Sequence, residues 1–259
     1  VVSRWIIYPV AIILGIAAMA AAMVAVVLTL AYPNLPSLEI LTDYRPKIPL
    51  RVFTADGHLI GEFGEERRAI VRFDEVPAAM KQAILAAEDE RFYQHGGVDA
   101  LGIVRAALSN ILGGGKRQGA STITQQVAKN FFLSSEKTYV RKLYEALLSF
   151  KIERNLSKDQ IFELYINQIF LGQRAYGFGA AAQIYFGKSL KELTIAEAAM
   201  LAGLPKAPSA FNPVVNPKRA RLRQQYVLRR MHELGFINAE QHDAATKQAL
   251  VVKRETNVF

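Results

Sequence analysis

The amino-acid sequence predicts a mainly α-helical domain that carries a small β element and follows a single membrane-spanning helix. Three observations predict it: a long apolar run without charge, one strong hairpin turn, and helix-start signals that recur from Pro77 almost to the end of the chain. The chain has 259 residues, 51% of them apolar, with 32 Lys+Arg against 23 Asp+Glu and thus a formal charge of +9. This composition excludes a disordered, collagenous or disulfide-scaffold chain, and the length suits one sizeable core with an appendage. Without cysteine the chain has no disulfide, thiolate metal site or cysteine nucleophile, and the redox compartment stays open. The basic balance points to an anionic partner, which charge alone leaves as nucleic acid, an acidic membrane surface or a phosphorylated substrate.

Residues 1–32 read as the membrane anchor, because no charged side chain lies between Arg4 and Glu39. A helix over 5–32 rises ~1.5 Å per residue, roughly 40 Å in all, enough to cross about 30 Å of hydrocarbon with some tilt. Trp5, Tyr8 and Tyr32 stand near its ends, where amphipathic rings favour the headgroup layer. A cleaved signal peptide is the competing reading, but the apolar run exceeds an ordinary signal-peptide core. Arg4 favours a cytoplasmic N-terminus, whereas Arg45, Lys47 and Arg51 follow the span, so orientation is weakly signed. Removing residues 1–40 discards one charge of each sign, and the excess charge therefore belongs to the soluble part.

Residues 33–49 form a proline-punctuated connector, and residues 50–252 form the domain proper. Segments 51–55 and 58–63 flank Asp56-Gly57, a turn dipeptide that favours a hairpin, and 69–73 is a candidate third strand. Pro77 suits the first position of a helix running to about Glu90. Ser157 with Gln160, Thr194 with Glu197 and Asn238 with Gln241 fit or resemble capping boxes, and Asn216-Pro217 and Gly235 bracket another helix.

Three clusters hold chemistry-bearing side chains. Glu88, Asp89 and Glu90 end the helix that begins near Pro77, and Phe92, His95 and Gly96-Gly97 follow in a tight turn. Glu88 borders the apolar face, where partial desolvation would raise its affinity for a proton and tune it as a base. The glycine-rich basic loop 113–119 then leads into a helix containing Ser121, Thr122, Gln126, Lys129 and Asn130. At 100° per residue Thr122, Gln126 and Lys129 fall within roughly 60° of one another, a plausible seat for pyrophosphate at a helix N-terminus. On the helix over about 136–154, Val140, Leu143, Tyr144, Leu147 and Phe150 form an apolar face, while Arg141, Lys142, Glu145 and Ser149 point away. Each cluster also has an ordinary reading: solvated acids, a capped amphipathic helix, and an exposed ion pair worth only ~0.3–0.5 kcal/mol. His58, His232 and His242 make no metal-ligand spacing. The basic helix 218–230 has the charge of a nucleic-acid or lipid-surface element, with Leu222, Tyr226 and Met231 as core contacts.

Taken together, five ordered motifs resemble the peptidoglycan glycosyltransferase domain (glycosyltransferase family 51) of class A penicillin-binding proteins. They are Glu88-Asp89-Glu90-Arg91-Phe92-Tyr93-Gln94-His95-Gly96, Gly119-Ala120-Ser121-Thr122-Ile123-Thr124-Gln125-Gln126, Arg141-Lys142-Leu143-Tyr144-Glu145, the Glu163-Leu164-Tyr165-Ile166-Asn167 run within 158–172, and 196–213. The resemblance implies a lysozyme-like fold of two lobes around a cleft. It further implies polymerisation of lipid II into β-1,4 glycan on the outer, periplasmic face of the bacterial cytoplasmic membrane, with inversion and release of polyprenyl diphosphate.

The resemblance also assigns the residues. Glu88 is the general base, and Lys129, Arg141 and Lys142 stabilise the leaving pyrophosphate. Glu145 orients Arg141 or a bridging divalent ion (Mg or Mn), the one cofactor the resemblance leaves room for. Ser121, Thr122 and Gln126 hold donor phosphates or sugar hydroxyls, with Asn130 and Lys206 as further substrate contacts, and Asp89, Phe92 and His95 shape the pocket. The implied partners are lipid II, the growing lipid-linked glycan, the membrane and other cell-wall synthesis proteins, not nucleic acid. Moenomycin-type phosphoglycolipids are the expected inhibitors. No Ser-x-x-Lys with Lys-Thr-Gly set for a penicillin-binding transpeptidase occurs. Residues 253–259 therefore lead toward a downstream domain, or the chain is a monofunctional enzyme. A lysozyme-like hydrolase with two carboxylates and a membrane-tethered anion-binding module without catalysis remain as alternatives.

Overall fold

The computed structural model describes residues 4–43, 50–57, 59–64, 66–112, 121–133 and 138–253. The expected glycine-rich loop 113–119, the second part of the connector (44–49) and the tail beyond 253 lie outside the described residues. The first element, α1 (Arg4–Ala31), is the one described helix long and apolar enough to cross a membrane, and none of its most apolar stretch is buried in the protein. A single 3-10 turn (Tyr32–Asn34) and the short α2 (Glu39–Thr42) follow. Leu35 and Leu41 are buried in the main core, and Lys151 donates to the carbonyls of Leu35 at 3.4 Å and Pro36 at 2.8 Å. The start of the connector is therefore packed onto the domain.

Strands β1 (Leu50–Phe53) and β2 (Leu59–Phe63) pair antiparallel across Asp56-Gly57. Gly57 has φ +85°, the left-handed geometry that this turn needs and that glycine adopts without a Cβ clash. The third strand expected at 69–73 is not formed. The pairing strand is β3 (Arg67–Arg68), which lies parallel to β4 (Ala175–Tyr176) far along the chain. Beyond β3 one side chain replaces a neighbouring strand: the Asn167 amide accepts from the Val71 N–H at 3.0 Å and donates to the Val71 carbonyl at 2.8 Å. The local backbone is thus satisfied without a ladder.

The remainder is helical: α3 (Ala78–Glu88), α4 (Ala100–Leu112), α5 (Ile123–Phe132), α6 (Tyr139–Asn155), α7 (Lys158–Gln168), α8 (Phe178–Phe186), α9 (Ile195–Ala202), α10 (Pro217–Glu233) and α11 (Ala239–Lys247). Pro77 caps α3 rather than starting it, and α3 stops at Glu88 instead of Glu90. The three expected capping boxes form at α7, α9 and α11, and a further one, Thr122 with Gln125, opens α5. Helix α9 is built from Ala196, Ala198, Ala199 and Ala202, small enough for α3 and α10 to pack closely on it. Helix α5 packs instead on α6 and α7, and α8 touches both α7 and α9. The C-terminus of α3 sits where these two helix groups meet.

In two helices the buried face is rotated from the one expected, although Leu147 and Met231 are buried and Tyr144 and Tyr226 pack against the core as expected. In α6 the buried positions are Glu145, Leu147, Leu148, Ser149 and Ile152, whereas Val140 (64% exposed), Leu143 and Phe150 face outward. Positions 145, 148, 149 and 152 form one helical stripe, so burying Leu148 and Ile152 carries Glu145 inside with them. In α10 the buried stripe is Ala220, Arg223, Gln224, Val227, Leu228 and Met231, while Leu222 is 67% exposed and makes no core contact.

Candidate active site

Helix α3 delivers three consecutive acids into three different environments. Glu88, its last residue, has a side chain only 11% exposed. One carboxylate oxygen, Oε2, accepts from Gln126 Nε2 of α5 at 2.7 Å, and the other, Oε1, lies 3.8 Å from an Nη of Arg223 on α10. Burial raises the proton affinity of Glu88, the Gln126 hydrogen bond and the charges of Arg223 and Lys206 oppose that rise, and Asp89 adds to it. The balance leaves this carboxyl above its ordinary value.

Asp89 is buried and structural. Its carboxylate meets His95 Nε2 at 3.0 and 3.1 Å and accepts from the Ile123 N–H at 3.1 Å, which satisfies a free donor at the start of α5. Glu90 is paired with Arg105 of α4 and Arg230 of α10. The acids are therefore not a solvated cluster.

The following turn is held just as firmly. Phe92 is fully buried, with Phe162 at 6.0 Å and the Lys158 ammonium 4.3 Å over its ring, so it shapes the turn from inside. Gly97 has φ +83°, and a Cβ there would come within 3.0 Å of the Ser149 backbone of α6. Thr122 is buried as well: its hydroxyl donates to the Gly97 carbonyl at 2.5 Å and accepts from the Gln125 N–H at 3.1 Å. Thr122, expected to hold a donor group, ties the start of α5 to the turn at Gly97.

The second glutamate sits among cations. Glu145 is 4% exposed, with Arg141 Nη1 at 3.4 Å from one oxygen and the Lys142 ammonium bonded to the other. Lys142 also donates to Ser121 Oγ at 2.9 Å, immediately before α5, and Arg141 Nε is buried without a partner among the described residues. Lys129 is exposed on the last turn of α5, and Asn130 beside it is half-buried. Lys206 is exposed between α9 and α10, with burial and the charge of Arg223 lowering its own proton affinity and Glu88 opposing them. Among the described residues no cluster of three or more His, Asp or Glu forms a metal site. Both oxygens of Glu145 face cations.

The sequence profile of the transglycosylase family matches residues 56–232 and spans this whole arrangement. The chain belongs to the transglycosylase family. It is 56% identical over 240 residues to penicillin-binding protein 1A of Neisseria flavescens, covering 93% of this chain and 30% of that protein. Against penicillin-binding protein 1A of Pseudomonas aeruginosa it is 50% identical over 218 residues, 84% of this chain and 26% of the relative. A crystal structure of penicillin-binding protein 1A from Haemophilus influenzae aligns at 34% identity with a TM-score of 0.48, covering 81% of this chain and 22% of that one. The chain thus spans less than a third of the length of these relatives.

Two residues of this transglycosylase domain escaped the sequence reading. Arg223 was hidden in a helix rich in surface charge, although its spacing from Ala220, Val227 and Met231 places it on the core stripe. Tyr165, inside the fourth motif, is buried with its hydroxyl unpartnered among the described residues, and burial followed by the charges of Glu88 and Asp89 pushes its titration far upward. Nothing in the sequence distinguishes that tyrosine from an ordinary core aromatic.

Proposed function

We propose that this transglycosylase domain polymerises lipid II into β-1,4 glycan with inversion, using Glu88 as the general base. The observation that carries the reading is a carboxylate shielded from water, with elevated proton affinity and, among the described residues, one oxygen that accepts no hydrogen bond. In this reaction the acceptor's 4-hydroxyl passes its proton to Glu88 while its oxygen attacks the anomeric carbon of the donor. The anomeric carbon–oxygen bond breaks, and its electron pair leaves with the polyprenyl diphosphate. Negative charge grows on that diphosphate, so cations placed there lower the barrier. Lys129, Arg141 and Lys142 are assigned this task, with Glu145 as the counter-ion that orients Arg141. Ser121 and Gln126 lie at the two ends of the path between the carboxylate and the cations, on or beside α5.

Both substrates keep their polyprenyl tails in lipid, and a tethered site meets them at high effective concentration. The apolar side chains Leu101, Val104 and Leu108 of α4 and Val140 of α6 are exposed, as expected of surfaces held against a bilayer. The reading places the domain on the periplasmic side of the cytoplasmic membrane, anchored by α1. Incubating the purified protein with lipid II and, separately, with finished glycan tests it. Strand growth from lipid II with release of polyprenyl diphosphate is the expected result, and shortening of finished strands would identify a hydrolase instead.

A further inference from the structure

Arg223 comes from α10, near Lys206 in the chain but remote in sequence from Glu88, and it reaches under the α3 terminus. Its side chain is 8% exposed. Nε lies 3.4 Å from the Gly203 carbonyl, one Nη lies 3.4 Å from the Ala87 carbonyl, and the same Nη is the one 3.8 Å from Glu88 Oε1. The guanidinium also stacks over Tyr226 at 4.6 Å. Gly203 makes room for this path, since a Cβ there would stand 2.8 Å from Arg223 Cγ. A guanidinium gripped by two main-chain carbonyls and an aromatic face has little freedom to follow a substrate, and its burial keeps it from a phosphate in the cleft. It nevertheless stands within Coulombic reach of the carboxylate without donating a hydrogen bond to it.

We propose that Arg223 is a positioning residue for glycosyl transfer: from beneath the α3 terminus it keeps the Glu88 carboxylate charged and oriented, leaving Oε1 open to the acceptor hydroxyl. The inference rests on Glu88 being the base. The groups facing Glu88 divide the work. Gln126 from α5 occupies Oε2, Lys206 from the α9–α10 connection adds an exposed positive charge, and Tyr165 from α7 presents a buried neutral hydroxyl. Asp89 on the same turn works against ionisation and is itself tied to His95. Arg223 is the buried cation of this set, so its charge is the least screened by water. A direct hydrogen bond at Oε1 would block the proton's landing site, whereas a cation at ion-pair distance favours the charged form without blocking it.

The test is the pH dependence of lipid II polymerisation by the full chain, with thermal unfolding measured alongside. Arg223→Gln is expected to move the acidic limb of kcat/KM upward, with a loss on the order of tenfold at the acidic end that shrinks as pH rises. Arg223→Lys restores the position of the limb, because it keeps the charge. Gly203→Ala, which crowds the arginine stem without removing a charge, moves the limb in the same direction as Arg223→Gln. Lys206→Ala moves it less, since its charge is in water. A deficit of equal size at every pH, or an unmoved limb in both Arg223→Gln and Gly203→Ala, overturns the proposal. So does failure of both variants to fold, which would make Arg223 a core element only. Glu88→Gln run in parallel separates the two readings. If that variant still polymerises, the base assignment fails. If it is inactive while the Arg223→Gln limb stays put, only the role of Arg223 fails.

Discussion

Glu88 at the end of α3 and Glu145 on α6 are both shielded from water and both reached from the α5 region, but their charges are answered in opposite ways. Glu145 has a cation on each oxygen, and its helix presents it to them from one stripe. Glu88 has one amide on one oxygen and, near the other, an arginine just beyond hydrogen-bond distance. A saturated carboxylate is a counter-ion that fixes arginine and lysine in place. An undersatisfied one in a dry site binds a proton more readily. Helix α5 couples the two, since Gln126 touches Glu88 while Ser121, just before the helix, touches Lys142. The same local fold thus leaves one carboxylate with raised proton affinity and holds the other between two cations.

Substitution sharpens that contrast. Glu88→Gln, nearly equal in volume, is expected to lower polymerisation by ~10²–10⁴-fold while leaving the fold intact, as removal of a general base does; a product-length assay with a thermal melt distinguishes this from unfolding. Arg141→Ala is expected to cost ~2–4 kcal/mol of transition-state stabilisation, read as a fall in kcat/KM. If Arg141→Ala lowered only the unfolding temperature, the positive patch would be structural and the contrast would collapse. Glu145→Gln should act mainly on stability, by ~1–3 kcal/mol, because it strips a buried counter-ion from Arg141 while half-exposed Lys142 is screened by water. Denaturant titration measures that loss, and an unchanged midpoint would show that the cations hold themselves.

Much of the helical scaffold could be read from local chemistry. The capping boxes at Ser157, Thr194 and Asn238, the Pro217 start and the Asp56-Gly57 turn all depend on residues within a few positions of one another, and all appear where expected. The failures are non-local. β3 pairs with β4 across more than a hundred residues, and Asn167 satisfies Val71 across a similar gap, so no window of sequence reveals either. In α6 the side chains of Val140, Leu143 and Phe150 read as core by hydrophobicity, yet the face holding Glu145 is the one buried, because its charge is paid for by neighbouring cations. Glu88 reads as bordering an apolar face and does lie shielded from water, and Arg141 and Lys142 meet Glu145 as their motif spacing allows. Arg223 was not legible, because a charged residue in a basic helix looks like surface until its partners are known. The Thr122 hydroxyl, part of an expected binding motif, caps α5 and also bonds the Gly97 carbonyl, a partner twenty-five residues away that its motif does not reveal.

The central claim is that the folded protein binds a proton at Glu88 more tightly than an ordinary glutamate does. Such a group lends stability below its unfolded-state value and loses it as pH rises toward the elevated folded value. Unfolding free energies of the wild type and Glu88→Gln, measured from acid to neutral pH, test this directly. The account predicts that the glutamine variant gains stability relative to wild type as pH rises through that window, with the difference levelling off above it. A difference that stays flat, or that turns in favour of the wild type toward neutral pH, would contradict it.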